Sequence, residues 1–137
     1  MRTAVDSSVL LDILVGSQFA GASEKAVRRA IAEGSLVVSE CVVAEIRPAF
    51  ATDEADAFLD DLGIEFIPSS RESALLAGKM FQAYLGRRRR VQKARGPVRV
   101  LADFLIGAHA TLHADRLLAR DRGFYRDYFK NLSLLEP

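Results

Sequence analysis

Thr3-Ala4-Val5-Asp6-Ser7-Ser8-Val9-Leu10-Leu11 is the stretch that decides the architecture of this chain. A short apolar run ends in an acid, two serines follow, and apolar residues resume from Val9 to Leu14. That order reads as strand, acid, helix. The plan returns near the other end, where Leu117-Leu118-Ala119-Arg120 closes on Asp121 just before the turn residue Gly123. In parallel α/β sheets the carboxyl ends of the strands form the ligand crevice, so acids at these junctions belong together.

The segments in between carry the same alternation. A helix is expected over about Ser23 to Glu33, stopped by Gly34, and a strand over Leu36, Val37 and Val38. Ser39 is placed to cap the next helix, which carries Glu45 and is limited by Pro48. Asp53 to Leu62 has Ala55, Phe58, Leu59 and Leu62 at helical spacing, with Asp53 as cap and Gly63 as stop. Ile64 to Ile67 is a short strand ended by Pro68, and Ser70 opens a helix expected to stop at Gly86. A last long helix runs from about Val100 to His113 with Asp103 in its first turn, where the helix dipole favours a carboxylate. Strands alternating with helices imply an α/β fold with a parallel sheet covered on both faces.

Asp6, Glu45, Asp103 and Asp121 therefore stand where strands end or helices open. Brought together without neutralisation, such carboxylates repel one another and raise their own pKa values, which calls for a divalent cation. Only oxygen ligands are offered, and these select Mg2+ or Mn2+ over Zn2+. A site of that kind activates water and stabilises charge on a phosphate, the chemistry of a nuclease.

Four segments, in order, carry a resemblance to a family: Val5-Asp6-Ser7-Ser8-Val9-Leu10-Leu11, Ser39-Glu40-Cys41-Val42-Val43-Ala44-Glu45, Leu101-Ala102-Asp103-Phe104-Leu105-Ile106-Gly107-Ala108-His109-Ala110, and Leu118-Ala119-Arg120-Asp121-Arg122-Gly123-Phe124. Together they resemble the PIN-domain ribonucleases, and most of all the VapC-type toxins of toxin-antitoxin pairs. The resemblance implies a PIN-like three-layer α/β/α sandwich with a central, mainly parallel, twisted sheet. It implies that Asp6, Glu45, Asp103 and Asp121 form the catalytic, metal-binding set, with Ser8 as the small polar residue that supports it. It further implies endoribonuclease activity leaving a 5′-phosphate and a 3′-hydroxyl, a homodimer, and a cognate antitoxin that blocks the site. The family usually carries Thr or Ser two residues before its last acid; this chain has Ala119, so one orienting hydroxyl is missing.

Length and composition suit a single domain spanning residues 1–137, half of them apolar. No basic-then-apolar leader opens the chain and no apolar run approaches the roughly 20 residues that span a bilayer. A soluble, cytoplasmic protein without a membrane partner is expected. The net charge of +1 hides a strong asymmetry. Between Glu72 and Asp103 there is no acid, while Lys79, Arg87, Arg88, Arg89, Arg90, Lys93, Arg95 and Arg99 supply eight of the 19 basic residues. The segment from Gly86 to Pro97 reads as a loop just before the helix of Asp103, so its cations would draw an RNA backbone toward the acids.

Cys41 is the only cysteine, which excludes an internal disulfide, and its neighbours Val42 and Val43 suggest packing. His109 and His113 share a helix face, but six positions separate His109 from Asp103, about 120° around the helix, so packing or subunit contact is expected. Two other readings stay open at this point. A catalytically silent PIN-like module that binds RNA or protein has Ala119 in its favour, and a receiver-like phosphoacceptor role for Asp6 lacks its expected lysine.

Overall fold

The computed structural model describes residues 1–90 and 99–137. The first half of the chain lays down strand β1 (Arg2–Val5), helices α1 (Ser7–Val15) and α2 (Ala20–Glu33), strand β2 (Ser35–Val38), helices α3 (Glu40–Ile46) and α4 (Ala55–Asp61), and strand β3 (Ile64–Phe66). Helices α5 (Arg71–Arg90) and α6 (Leu101–His113) follow, then strand β4 (Arg116–Leu118), helix α7 (Arg122–Tyr128) and strand β5 (Ser133–Leu135).

Every pairing among these strands is parallel, in the order β3-β2-β1-β4-β5. Ala4 and Val5 in β1, Leu36, Val37 and Val38 in β2, and Leu117 and Leu118 in β4 are all 3% exposed or less. Successive strand residues point to opposite faces, so consecutive burial means that helices cover the sheet on both sides. The result is the expected three-layer α/β/α sandwich. Strands run outward from β1 to β3 on one side, and the chain then returns to the other side of β1 with β4. The reversal of strand order falls between β1 and β4, and a crevice at their carboxyl ends is where such folds bind ligands.

Several elements depart from the sequence-based expectation. Helix α5 does not stop at Gly86 but continues to Arg90. A mid-helix glycine costs only about 1 kcal/mol, and the four arginines that follow are good helix formers. Tyr84 also ties this stretch to the core: its ring lies 5.5 Å from Phe104 and 6.1 Å from Tyr128. Arg87 to Arg90 are therefore helical rather than part of a loop, and the rest of the expected loop lies outside the described residues. Asp53 does not cap α4, which opens at Glu54; it pairs with Arg47 at 3.0 Å instead. Ser39 occupies the N-cap of α3, but its buried hydroxyl bonds no backbone amide and has no hydrogen-bond partner among the described residues. Helix α2 begins at Ala20, before Ser23, because Ser23 is buried and donates to Asp12 at 3.0 Å.

Candidate active site

Asp6 prolongs β1, its amide donating to the Leu118 carbonyl of β4 at 3.0 Å, and stands at the N-cap of α1. Its carboxylate is 8% exposed and makes no cap bond. Instead the hydroxyls of Ser7 and Ser8 reach it at 3.3 and 3.2 Å. Burial raises its pKa; the Ser8 hydroxyl opposes that and the charge of Asp103 adds to it.

Glu45, on α3, meets Asp6 through Ser7, whose hydroxyl lies 3.1 Å from the glutamate Oε1. A serine has one proton, so Ser7 bonds one carboxylate at a time while holding the second at contact distance. The Glu45 pKa is raised by burial first, then by the charges of Asp6 and Asp103, against the Ser7 bond. Ser7 was not singled out as a site residue in the sequence. The signal available was its position: the first residue of a helix that follows an acid at a strand end.

Asp103 is the third residue of α6 and accepts the Val100 amide proton at 3.3 Å. Its neighbour Phe104 is fully buried, with ring centroids of Phe81, Tyr84, Phe124 and Tyr128 all within 5.5 Å, and this anchors the helix end that presents the carboxylate. Burial raises the Asp103 pKa, the Val100 amide and Arg99 lower it, and the charge of Asp121 raises it.

Asp121 caps α7, its Oδ1 accepting the Phe124 amide at 3.4 Å, and its Oδ2 pairs with the guanidinium of Arg99. Beneath the acids lies Tyr125, 2% exposed, whose pKa is driven well above 10 by burial and by the charges of Asp6 and Asp103. It stays a neutral phenol, able to donate a hydrogen bond among carboxylates. Sequence reasoning missed it, although it stands one helical turn after Asp121.

The four acids thus come from four separate elements; the charge of Asp103 acts on Asp6 and Glu45, that of Asp6 on Glu45, and that of Asp121 on Asp103. No group of three or more His, Cys, Asp and Glu side chains among the described residues stands close enough to form a ready metal cage. The donor set nonetheless fits a hard divalent cation in chemistry: oxygen ligands only, three of them raised in pKa by burial and mutual repulsion.

Of the expected RNA contacts, Arg87 donates to the Tyr128 hydroxyl at 3.2 Å and Arg88 lies 5.8 Å over the Tyr84 ring. Arg89 and Arg90 are exposed on the last turn of α5, Lys93 and Arg95 lie outside the described residues, and Arg99 faces the acids themselves. Cys41 is half-buried, with burial and the nearby Glu40 and Glu45 raising its thiol, which suits packing rather than nucleophilic work. His109 is buried with Nε2 2.7 Å from the Ile67 carbonyl, a packing role, as expected.

No curated relative matches the sequence. The structure is similar to VapBC2 from Rickettsia felis bound to a DNA fragment from its promoter, at 17% identity and a TM-score of 0.70, over 99% of this chain and 98% of that one. It is also similar to VapBC-1 from nontypeable Haemophilus influenzae, at 16% identity and a TM-score of 0.61, over 99% and 98% of the two chains. FitAcB from Neisseria gonorrhoeae matches at 19% identity and a TM-score of 0.62, over 97% and 96%. At these identities the likeness is one of fold. The family itself comes from the sequence, which matches the family model of the PIN domain over residues 3–130. With that match spanning nearly the whole of the strand, acid and helix plan described above, the chain belongs to the PIN-domain family.

Proposed function

We propose that this chain is a metal-dependent endoribonuclease that cleaves RNA phosphodiester bonds as the toxin of a VapC-type toxin-antitoxin pair. The observation that carries the reading is the Ser7 bridge between Asp6 and Glu45, with the charge of Asp103 acting on both and that of Asp121 acting on Asp103, beside the neutral Tyr125. These four would hold Mg2+ or Mn2+, with Ser8 orienting Asp6. A bound ion supplies an activated water and stabilises charge on the scissile phosphate.

The chain's own residues do the rest. Ser7 keeps Asp6 and Glu45 side by side, and the Val100 amide fixes one oxygen of Asp103. Arg89 and Arg90 give the end of α5 an exposed positive surface for the phosphate backbone, which Arg87 and Arg88 adjoin, and the charges of Lys93 and Arg95 follow in the sequence. Two features support the toxin assignment: the PIN-domain membership and the likeness in fold to the VapBC2, VapBC-1 and FitAcB structures. By the same reading the chain forms a homodimer, works in the cytoplasm and is silenced by a cognate antitoxin. Among the described residues no helix is long and apolar enough to cross a membrane.

The rival reading, a silent PIN module, draws on Ala119, which removes a hydroxyl two residues before Asp121. The test is RNA cleavage by purified protein with and without Mn2+, alongside Asp6→Asn and Asp103→Asn. Cleavage that needs both the ion and the two aspartates is expected. Parental rates in either variant, with contaminating nuclease excluded, would assign the chemistry elsewhere.

A further inference from the structure

Arg99 stands apart from the other cations of its segment. Its amide donates to the Tyr84 hydroxyl at 2.8 Å, its guanidinium lies 4.6 Å over the Phe124 ring, and the same guanidinium is paired with Asp121 Oδ2. The side chain is 24% exposed, in contrast to the open positions of Arg89 and Arg90. Both anchors are themselves fixed. Tyr84 and Phe124 are buried, and each packs on Phe104, the residue after Asp103. A backbone bond at one end and an aromatic plane under the other leave the guanidinium little freedom, and the place it is held is the edge of the acidic cluster.

Its effect there is electrostatic. Among the described residues Arg99 is the only cation paired with any of the four acids, and it also works on Asp103, opposing the rise that burial imposes. Asp121 has one oxygen on the Phe124 amide and the other on Arg99, so each oxygen already has a partner. A divalent cation that took Asp121 as a ligand would meet a guanidinium already seated on it, and like charges at that range oppose each other.

We infer that Arg99 is a built-in counter-ion of Asp121 that competes with the divalent cation, so that the chain's own arginine sets the metal affinity of the site. The inference rests on the metal-dependent reading above and deepens it. Arg99 is in this sense a positioning residue: it neutralises Asp121 when no metal is present and must be displaced from it when metal binds. A phosphate contact, the role its segment suggests, becomes open to it only after that displacement.

The experiment is calorimetric titration of Mn2+ into the full chain, without RNA, for the parent and Arg99→Gln. Removing a partly exposed pair should tighten Mn2+ binding about fivefold. The variant should also melt lower than the parent in EDTA and gain more from saturating Mn2+, because its Asp121 starts unpaired. Should Arg99→Gln fail to fold, Phe124→Leu removes the stacking platform while keeping both charges, and it too should tighten binding. Equal Mn2+ affinity in parent and variant would overturn the inference while leaving the metal site intact. A several-fold loss of RNA affinity in EDTA, with Mn2+ affinity unchanged, would overturn it in favour of a simple phosphate contact. If neither protein bound Mn2+, the metal-dependent reading would fall and this inference with it.

Discussion

The carboxylate of Asp12, on α1, holds the guanidinium of Arg120 at 3.0 Å, and Arg120 is the residue before Asp121. Asp12 is buried and also accepts the hydroxyls of Ser17 and Ser23 at 2.9 and 3.0 Å, while Arg120 stacks 4.5 Å over Phe19. A buried carboxylate with three donors thus ties the turn after α1, the helix α2 and the link after β4 to one point. Asp12→Ala should lower stability by about 2 kcal/mol, since it leaves several donors without their acceptor. It should also weaken Mn2+ binding, because the backbone that presents Asp121 loses its tether. Urea denaturation and metal titration measure the two effects, and full metal affinity in a destabilised variant would confine Asp12 to a structural role.

Gly107 has its own test. A Cβ built there would lie 2.3 Å from the Phe129 ring, too close for the ring to stay in place. Alanine normally gains about 1 kcal/mol over glycine within a helix. Here overpacking, about 1–3 kcal/mol, should outweigh that gain and make Gly107→Ala destabilising. Combining it with Phe129→Val should recover part of the loss. A melting temperature above the parent's in the single variant would contradict the contact.

A pH dependence follows from His109. Burial is the main cause holding its imidazole below the ordinary value of 6.5; the Ile67 bond opposes this and the charge of His113 assists it. The folded protein therefore keeps His109 neutral while the unfolded chain takes up a proton as pH falls. The stabilisation is fully present above about pH 6.5 and is lost as pH drops from there through the folded pKa. His109→Gln keeps a donor for the Ile67 carbonyl and removes the titration, so its urea midpoint should fall less than the parent's between pH 7.5 and 5.5. Parallel curves for the two proteins would exclude His109 as the source.

The helical end of α5 separates phosphate binding from packing. Arg89 and Arg90 are exposed, whereas Arg87 and Arg88 engage Tyr128 and Tyr84. Arg89→Ala with Arg90→Ala should leave the melting temperature unchanged and flatten the slope of log RNA affinity against log salt by about 1.4, two single-strand contacts at about 0.7 each. An unchanged slope in RNA titrations over several salt concentrations would mark these residues as a solvated face.

How far these features were legible depends on the range over which each is encoded. The strand, acid and helix order around Asp6 is local, and so is the first-turn placement of Asp103; both stand in the structure where the sequence put them. The helical course of Arg87 to Arg90 was not legible at Gly86, because the packing of Tyr84 against Phe104 and Tyr128 overrides the glycine. Ser39 shows a finer limit: residue type predicted its N-cap position, but not that its hydroxyl would make no bond to the helix amides. Strand β5 and helix α7 went unread, and length is not the reason: β3 and α4 are equally short, but Asp53, Gly63 and Pro68 mark where they start and stop. The grip of Arg99 on Asp121 was hidden for another reason, since a cation next to a basic run looks like every other member of that run.

The pairing of β1 with β4 also sets an order in time. Thr3 accepts a hydrogen bond from Arg116, 113 residues further along, and the amide of Asp6 bonds to Leu118. During synthesis β1 lacks one of its neighbours until β4 has left the ribosome, and Asp121 emerges later still. A nascent chain holding Asp6, Glu45 and Asp103 is therefore still without the strand that seats the first of them and without the fourth acid. Whatever activity the four acids support is postponed in each molecule until translation has passed Asp121, and a partner made beforehand can be waiting when it arrives.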